Sequence, residues 1–429
     1  MGDRVLRVGM LGCGNVGGAV VRLLDEHADD IAGRAGCRLE VARVAVREVD
    51  RERDVPIDRS AFTTDGGSVV DDPGVDIVCE MLGGIEPAFS LILRAFQGGK
   101  PVVTANKELL ATHGRELLDA SDAGGVDLYF EAAVGGGIPL IRPLKESLTG
   151  ERLRRVMGIV NGTTNFILTR MSEEGKAFRD ALAEAQHLGY AEADPTADVE
   201  GYDAAAKCAI LASIAFNARV VAGDVYREGI SKVTIDDIES ARRLGYVVKL
   251  LAIAELHGER IAARVHPSMI PAGHPLASVR DAFNAVFMEG PNIGELMFYG
   301  RGAGGDPTAT AVVGDLVSVA RNLLAGTRGV GCTCFHERTI RPMSEMEGQY
   351  YILFSVEDRP GVLAEIASVF GRNQVSIKSV WQEGAGVDAQ LAFVTHRALE
   401  GSFQKAVSEL RGLAVVHEVR SILRVEGEE

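Results

Sequence analysis

The chain has 429 residues, 46% of them hydrophobic and 24% charged, which is enough for two or three soluble domains each with its own core. Its net charge of −15, from 45 basic and 60 acidic residues, excludes a generic nucleic-acid binder and a protein drawn to an anionic membrane surface. No uninterrupted apolar run is long enough to cross a bilayer, and the N-terminus passes into an apolar strand with no signal-type region, so the expectation is a cytoplasmic protein.

The first predicted element is the aliphatic run Val5 to Leu11. It is followed by Gly12-x-Gly14-x-x-Gly17 and by a helical pattern through Val20, Val21, Leu23 and Leu24. Strand, glycine turn and helix in that order is the context a dinucleotide-binding fingerprint requires. Gly12 permits the tight turn, Gly14 lets backbone approach a pyrophosphate, and Gly17 lets helix pack on strand. The helix N-terminus then offers N–H groups and a positive dipole end to the phosphates. A second strand over 39–46 is followed by Arg47 and Glu48, where an acidic residue first would favour NAD(H); arginine suits a 2′-phosphate and leans to NADP(H), or Arg47 is simply a solvated surface residue.

Further β-α units follow: a strand and glycine turn over 75–84 containing Gly83, a helix over 86–96, and a strand over 102–105. Asn106 and Lys107 begin the next helix, and a strand and glycine-rich turn run over 126–140. This alternation predicts an α/β fold with a doubly wound, Rossmann-type parallel sheet. In such sheets ligands bind beyond the C-terminal strand ends, where Gly83, Lys107 and residues 131–138 lie. A lysine at a helix start opposes the dipole, which gives Lys107 a reason to be there other than solvation. The turn through Glu131, Val134, Gly136 and Ile138 could cage a monovalent cation on backbone carbonyls or serve only as a tight connection.

A strand over 152–160 ends in NGTTNFIL, where Asn161, Thr163 and Thr164 can cap the next helix or face a ligand. The segment LGYAEADPTADVEGYDAAAK, 188–207, carries Glu192, Asp194, Asp198, Glu200, Asp203 and Lys207. Its first half is expected to be irregular, with Asp194-Pro195 and Gly201 as breaks. From about Asp203 it becomes a helix that is apolar all round except for Asp203 and Lys207, one turn apart on one stripe. Such a helix is buried, and buried Asp and Lys are rare unless paired or functional. A second glycine turn, Gly302 to Gly305, precedes a long helix from near Pro307.

After a polar linker over 338–349 the pattern restarts as βαββαβ over 350–429, the order of a ferredoxin-like plait. The six cysteines, Cys13, Cys37, Cys79, Cys208, Cys332 and Cys334, are scattered. The Cys332-x-Cys334 pair, with His336 nearby, is too sparse for a zinc site. Reduced thiols are the expectation.

Six motifs resemble homoserine dehydrogenases in content and order: GCGNVG, TANK at 104–107, EAAVGGGIP, GIVNGTTNFIL, LGYAEADPTADVEGYDAAAK and GRGAGGDPTA. Asp358-Arg-Pro-Gly361-Val-Leu363 in the plait resembles an ACT domain, a family that binds small amino acids. The resemblance implies a nucleotide domain over 1–135 completed by a helix over 305–330, an α+β substrate and dimerisation domain over 136–325, and the ACT domain. It implies reversible, NAD(P)H-dependent reduction of L-aspartate 4-semialdehyde to L-homoserine, and Arg47 leans the cofactor toward NADP(H) over NAD(H). Lys207 would be the proton donor, Asp203 its positioning partner, and Lys107 would stabilise the carbonyl oxygen or the nicotinamide side. Glu192 and Asp198 would bind the substrate ammonium, with Thr163 and Tyr190 beside them. Gly12, Gly14, Asn15, Val16, Gly17, Arg47, Gly83, Ala105, Lys107 and Gly304 would hold the cofactor. Backbone oxygens of Glu131, Val134, Gly136 and Ile138 would hold sodium or another monovalent cation. Threonine as allosteric effector and a homodimer or homotetramer are implied in the same way.

Two other classes stay open on the residues alone. A thiol-dependent aldehyde dehydrogenase would need a placed cysteine with a base, and Cys208, beside Lys207, points to a different face. An amino-acid sensor that binds nucleotide without turnover would have no use for the Asp203 and Lys207 pair.

Overall fold

The computed structural model describes residues 4–384, 386 and 389–427. The extreme ends of the expected 1–135 and 350–429 domains lie outside them. The chain divides into two compact units. The first contains residues 1–156, 206–224 and 283–338, and the second 157–205, 225–282 and 339–429.

The first unit is built on a wholly parallel six-stranded sheet. From one edge its strands are Phe62–Thr63, Arg38–Ala45, Val5–Leu11, Ile77–Glu80, Val102–Thr104 and Leu128–Tyr129. That is the doubly wound order 3-2-1-4-5-6, in which the connection reverses direction beside the first strand. The central strands are buried on both faces, which is why Val8, Met10, Ile77 and Val103 read as continuous apolar runs rather than alternating ones. Helix Asn15–Glu26 packs on this core, and Gly305–Ala325 joins the same cluster through Val312, Leu316 and Val319. The latter begins two residues before Pro307, because Gly304 at φ +120° ends the preceding turn.

The second unit holds the long antiparallel pair Tyr246–His257 and Arg260–Pro271. Its C-terminal module has strand order Val416–Val425, Glu347–Val356, Gln390–Thr395, Ile377–Glu383, with helices Val362–Arg372 and Glu400–Leu410. This is the ferredoxin-like arrangement that the βαββαβ pattern predicts. Its core is aromatic: Phe354, Phe370, Phe393 and Phe403 are buried, and Tyr350 stacks on Phe403 at 3.9 Å between ring centroids. The module continues the sheet of its own unit, because Arg424 and Val425 pair in parallel with Ser268 and Met269. Thr339–Ile340, inside the segment read as linker, also pairs with Arg260–Ile261.

Candidate active site

In the first unit the fingerprint turn closes as its spacing demands. Gly12 has φ +101°, and a Cβ there would stand 2.7 Å from the Met81 carbonyl oxygen. A Cβ on Gly17 would meet the Gly12 carbonyl oxygen at 2.6 Å, whereas one on Gly14 would meet nothing within 4 Å. The open face therefore belongs to Gly14. No side chain caps the helix at Asn15, so its first N–H groups keep their positive potential for an anion. The second glycine turn comes to the same place: a Cβ on Gly305 would lie 3.0 Å from the Asn15 carbonyl oxygen. Two helix N-termini with no side-chain cap thus meet at Asn15 and Gly305.

Arg47 is exposed two residues beyond the second strand. Sequence reasoning missed its companions. Arg53 donates to the carbonyls of Glu48 and Arg51 and lies over the Phe62 ring, and Arg53 and Arg22 both bear electrostatically on Cys13. Burial nevertheless raises the Cys13 thiol above its usual range, so it is no thiolate nucleophile.

The loops after the fourth and fifth strands hold Gly83, Ala105 and Lys107, and they are fixed by a fully buried carboxylate, Glu80. Its Oε1 accepts from the Leu82 and Gly83 amides and its Oε2 from Thr104 Oγ1 at 2.5 Å. Asn106 caps the Lys107–Gly124 helix through Leu109 N and donates from Nδ2 to Gly84 O at 2.7 Å. Burial raises the Glu80 carboxyl above the usual range. A charged residue ending an apolar strand before glycines was the available signal.

The turn expected to hold a cation is shaped by a second buried carboxylate set. Glu131 N donates to Asp315 Oδ2 at 2.8 Å. The Glu131 side chain accepts from the amides of Leu140, Ile141 and Arg142. Arg142 also pairs with Asp315 at 2.7 Å. Gly136 has φ +57°, and a Cβ there would overlap Gly302 backbone at 2.6 Å. Among the described residues no donor reaches the carbonyls of Val134, Gly136 or Ile138.

In the second unit the acidic segment is organised by one amide. Asn161 caps the Gly162–Glu174 helix with its Oδ1, which accepts from Thr164 N at 2.9 Å. Its Nδ2 donates to Asp198 Oδ1 at 2.7 Å and to Asp203 Oδ2 at 2.9 Å. Asp198 stands on a short helix, Thr196–Val199, inside the stretch expected to be irregular; Pro195 and Gly201 bracket it. Thr163 Oγ1 donates to Tyr190 O at 2.7 Å, and the Tyr190 ring packs on Phe166. Thr163, Tyr190, Asp198 and Asp203 are thus gathered around Asn161. Glu192 is exposed, and its backbone carbonyl is tied by Gln186 Nε2. Hydrogen bonding from the Thr196 side chain, and then from its amide, lowers the Asp194 carboxyl pKa and leaves it a turn residue.

Helix Tyr202–Ala215 carries Asp203 and, one turn on, Lys207; each is 8% exposed. The chain passes from the second unit to the first within this helix. Among the described residues no cluster of His, Cys, Asp and Glu could hold a metal, and no helix is long and apolar enough to cross a membrane.

Comparison with known proteins agrees with this geometry. The chain matches the homoserine dehydrogenase NAD-binding domain over residues 12–131, the homoserine dehydrogenase domain over 139–317 and the ACT domain over 350–415. A homoserine dehydrogenase of Mycobacterium tuberculosis is 50% identical over 436 residues, covering 99% of this chain and 98% of that protein. The crystal structure of a homoserine dehydrogenase from Thiobacillus denitrificans superposes with a TM-score of 0.94 at 42% identity, covering 99% of both chains. A hyperthermophilic archaeal homoserine dehydrogenase solved in complex with NADPH matches with a TM-score of 0.64 at 26% identity, over 77% of this chain and 100% of that one. With its nucleotide turn, its Asp203 and Lys207 helix and its C-terminal plait in place, the chain belongs to the homoserine dehydrogenase family, NAD(P)-linked oxidoreductases acting on a CH–OH group.

Proposed function

We propose that the chain reduces L-aspartate 4-semialdehyde to L-homoserine, reversibly, with NADPH as the preferred cofactor, and that Lys207 is the proton donor. The observation that carries the reading is the Asn161 amide gripping both Asp198 and Asp203 at the head of the buried helix that bears Lys207. Bound cofactor supplies the hydride that the aldehyde carbon receives. This chain's residues do the rest. The Lys207 ammonium gives a proton to the oxygen as it becomes an alkoxide. Asp203, held by Asn161, keeps that ammonium oriented and charged. Asp198 and Glu192 bind the substrate ammonium, with Thr163 and Tyr190 completing the pocket wall. Lys107, set at a helix start by the Asn106 cap, stabilises the carbonyl oxygen or the nicotinamide side.

The uncapped turns at Gly12–Gly17 and Gly304 suit the pyrophosphate. Exposed Arg47, with Arg53 bonded to the carbonyl of the next residue, Glu48, suits a 2′-phosphate. The carbonyls of Val134, Gly136 and Ile138, with that of Glu131, suit a monovalent cation such as sodium; the turn is held to helix Gly305–Ala325 by the Glu131 amide on Asp315. The C-terminal module would bind an amino-acid effector, threonine by family, and the assembly would be a dimer or tetramer.

One assay tests the core of this. NADPH oxidation should depend on aspartate semialdehyde, run faster at equal NADPH than NADH, and slow when threonine is added. No oxidation with that aldehyde sinks the assignment. Equal use of NADH removes only the cofactor preference.

A further inference from the structure

Within the second unit a cavity of about 510 Å³ lies between the C-terminal module and the segment that carries Asp198. Ser421 and Arg424 of the last strand and Arg411 after helix Glu400–Leu410 line one side. Glu200, Arg227, Gly229 and residues 231–233 line the other. Several of the charges around it are already committed. Arg424 is saturated by Glu400 at 2.8 Å and Glu228 at 2.9 Å, and Arg420 pairs with Asp236. Asp237 caps its own helix at Thr234.

Three charges are not committed. Among the described residues Lys232, Arg411 and the Glu200 carboxylate take part in no ion pair. Lys232 and Arg411 are exposed, and Glu200 is half-buried, with its carboxylate beside Gly229. Two cations and one carboxylate around a small polar cavity complement a zwitterion. The Ser231 hydroxyl, also in the lining, adds a partner for a polar side chain.

The wall of this cavity is continuous with the substrate segment. Arg227 donates to Glu200 O at 2.6 Å, and its guanidinium lies 3.4 Å from the centre of the Tyr202 ring, the residue before Asp203. Ile230 N donates to Val199 O at 2.8 Å, next to Asp198. Gly229 fits so closely that a Cβ would stand 2.3 Å from that same Val199 oxygen. Displacing Glu200 or the 229–232 backbone therefore displaces the residues on which Asp198 and Asp203 stand.

We propose that this cavity binds a small zwitterionic α-amino acid, its carboxylate on Lys232 and Arg411 and its ammonium on Glu200. Occupancy is passed to Asp198 and Asp203 through Arg227 and the 229–230 backbone. The inference rests on the reading of the C-terminal module as amino-acid-responsive, and gives that response a location.

The test uses the full chain with L-threonine as probe, followed by calorimetry and by inhibition of NADPH oxidation. Lys232→Ala, Arg411→Ala and Glu200→Gln should each weaken threonine binding and raise its half-inhibitory concentration by about tenfold or more, the loss of one charged contact. Uninhibited kcat and KM should be unchanged in the two cation variants, and Lys232→Arg should restore most of the binding. If the wild type responds to threonine and all three variants respond equally well, the location is wrong and the regulatory reading survives. If the wild type binds neither threonine nor any other protein amino acid, both fall.

Discussion

Two regions of this molecule hold charge by opposite means. At the fingerprint turn the groups proposed to bind are backbone amides at helix ends that no side chain caps. In the 188–207 segment they are carboxylates, and a single side-chain amide from outside the segment, Asn161, decides where two of them sit. A backbone site needs only the right residues missing a Cβ. A side-chain site needs partners brought from elsewhere in the chain, so it is more easily broken by one substitution and more easily tuned.

The largest break should come at Lys207. General acid catalysis contributes about 100- to 10,000-fold, so Lys207→Ala should lower kcat on that order while NADPH affinity stays close to wild type. Turnover retained in stopped-flow or steady-state assays would remove Lys207 from the chemistry.

The next test is on the backbone side. Gly12→Ala puts a Cβ against the Met81 carbonyl at positive φ and should cost about 1–3 kcal/mol of stability together with cofactor binding. Gly14→Ala meets nothing within 4 Å, so it should leave the melting temperature alone and weaken NADPH only. Equal melting for the two variants would contradict the division of labour between these glycines.

Asn161→Ala strikes the side-chain side. It removes two hydrogen bonds to carboxylates, worth about 1.5–3 kcal/mol each, and a helix cap worth about 1 kcal/mol. We expect kcat/KM to fall on the order of 10- to 100-fold, with NADPH binding unchanged. A pure stability loss, without change in kcat/KM below the melting range, would make Asn161 structural only.

The smallest effect belongs to Asp315. Burial, opposed by the Glu131 amide, pushes its carboxyl up to about 7. The folded state therefore holds this proton more tightly than the unfolded chain, whose value is near 3.8. The stability it contributes is complete below the unfolded value and is lost as pH rises through the folded one. Asp315→Asn should flatten the fall of melting temperature over that window, read by scanning calorimetry. An unchanged slope would assign the proton elsewhere.

Much of this was legible without coordinates because it is local. Gly12, Gly14 and Gly17 act through spacing along a few residues, and the strand before and the helix after are written in apolar periodicity. The burial of Asp203 and Lys207 followed from a helix with no polar face. The dual role of Asn161 did not follow: as a cap it is visible from the sequence, but its reach to Asp198 and Asp203 depends on chain contacts that no period relates. Glu80 and Asp315 were missed for a similar reason. Each is a carboxylate in an apolar element, and only its partners in space explain how it can be buried.

By itself, then, the sequence determined the α/β nucleotide unit, the βαββαβ module and the residue types of the chemistry, because propensity, periodicity and glycine spacing are properties of neighbouring residues. Only the tertiary structure decided which charges are committed and which are open. That choice separates Glu200, Lys232 and Arg411 from their paired neighbours Arg424 and Arg420. An ion pair or a buried hydrogen bond is set by distance in space, and sequence separation carries no record of it.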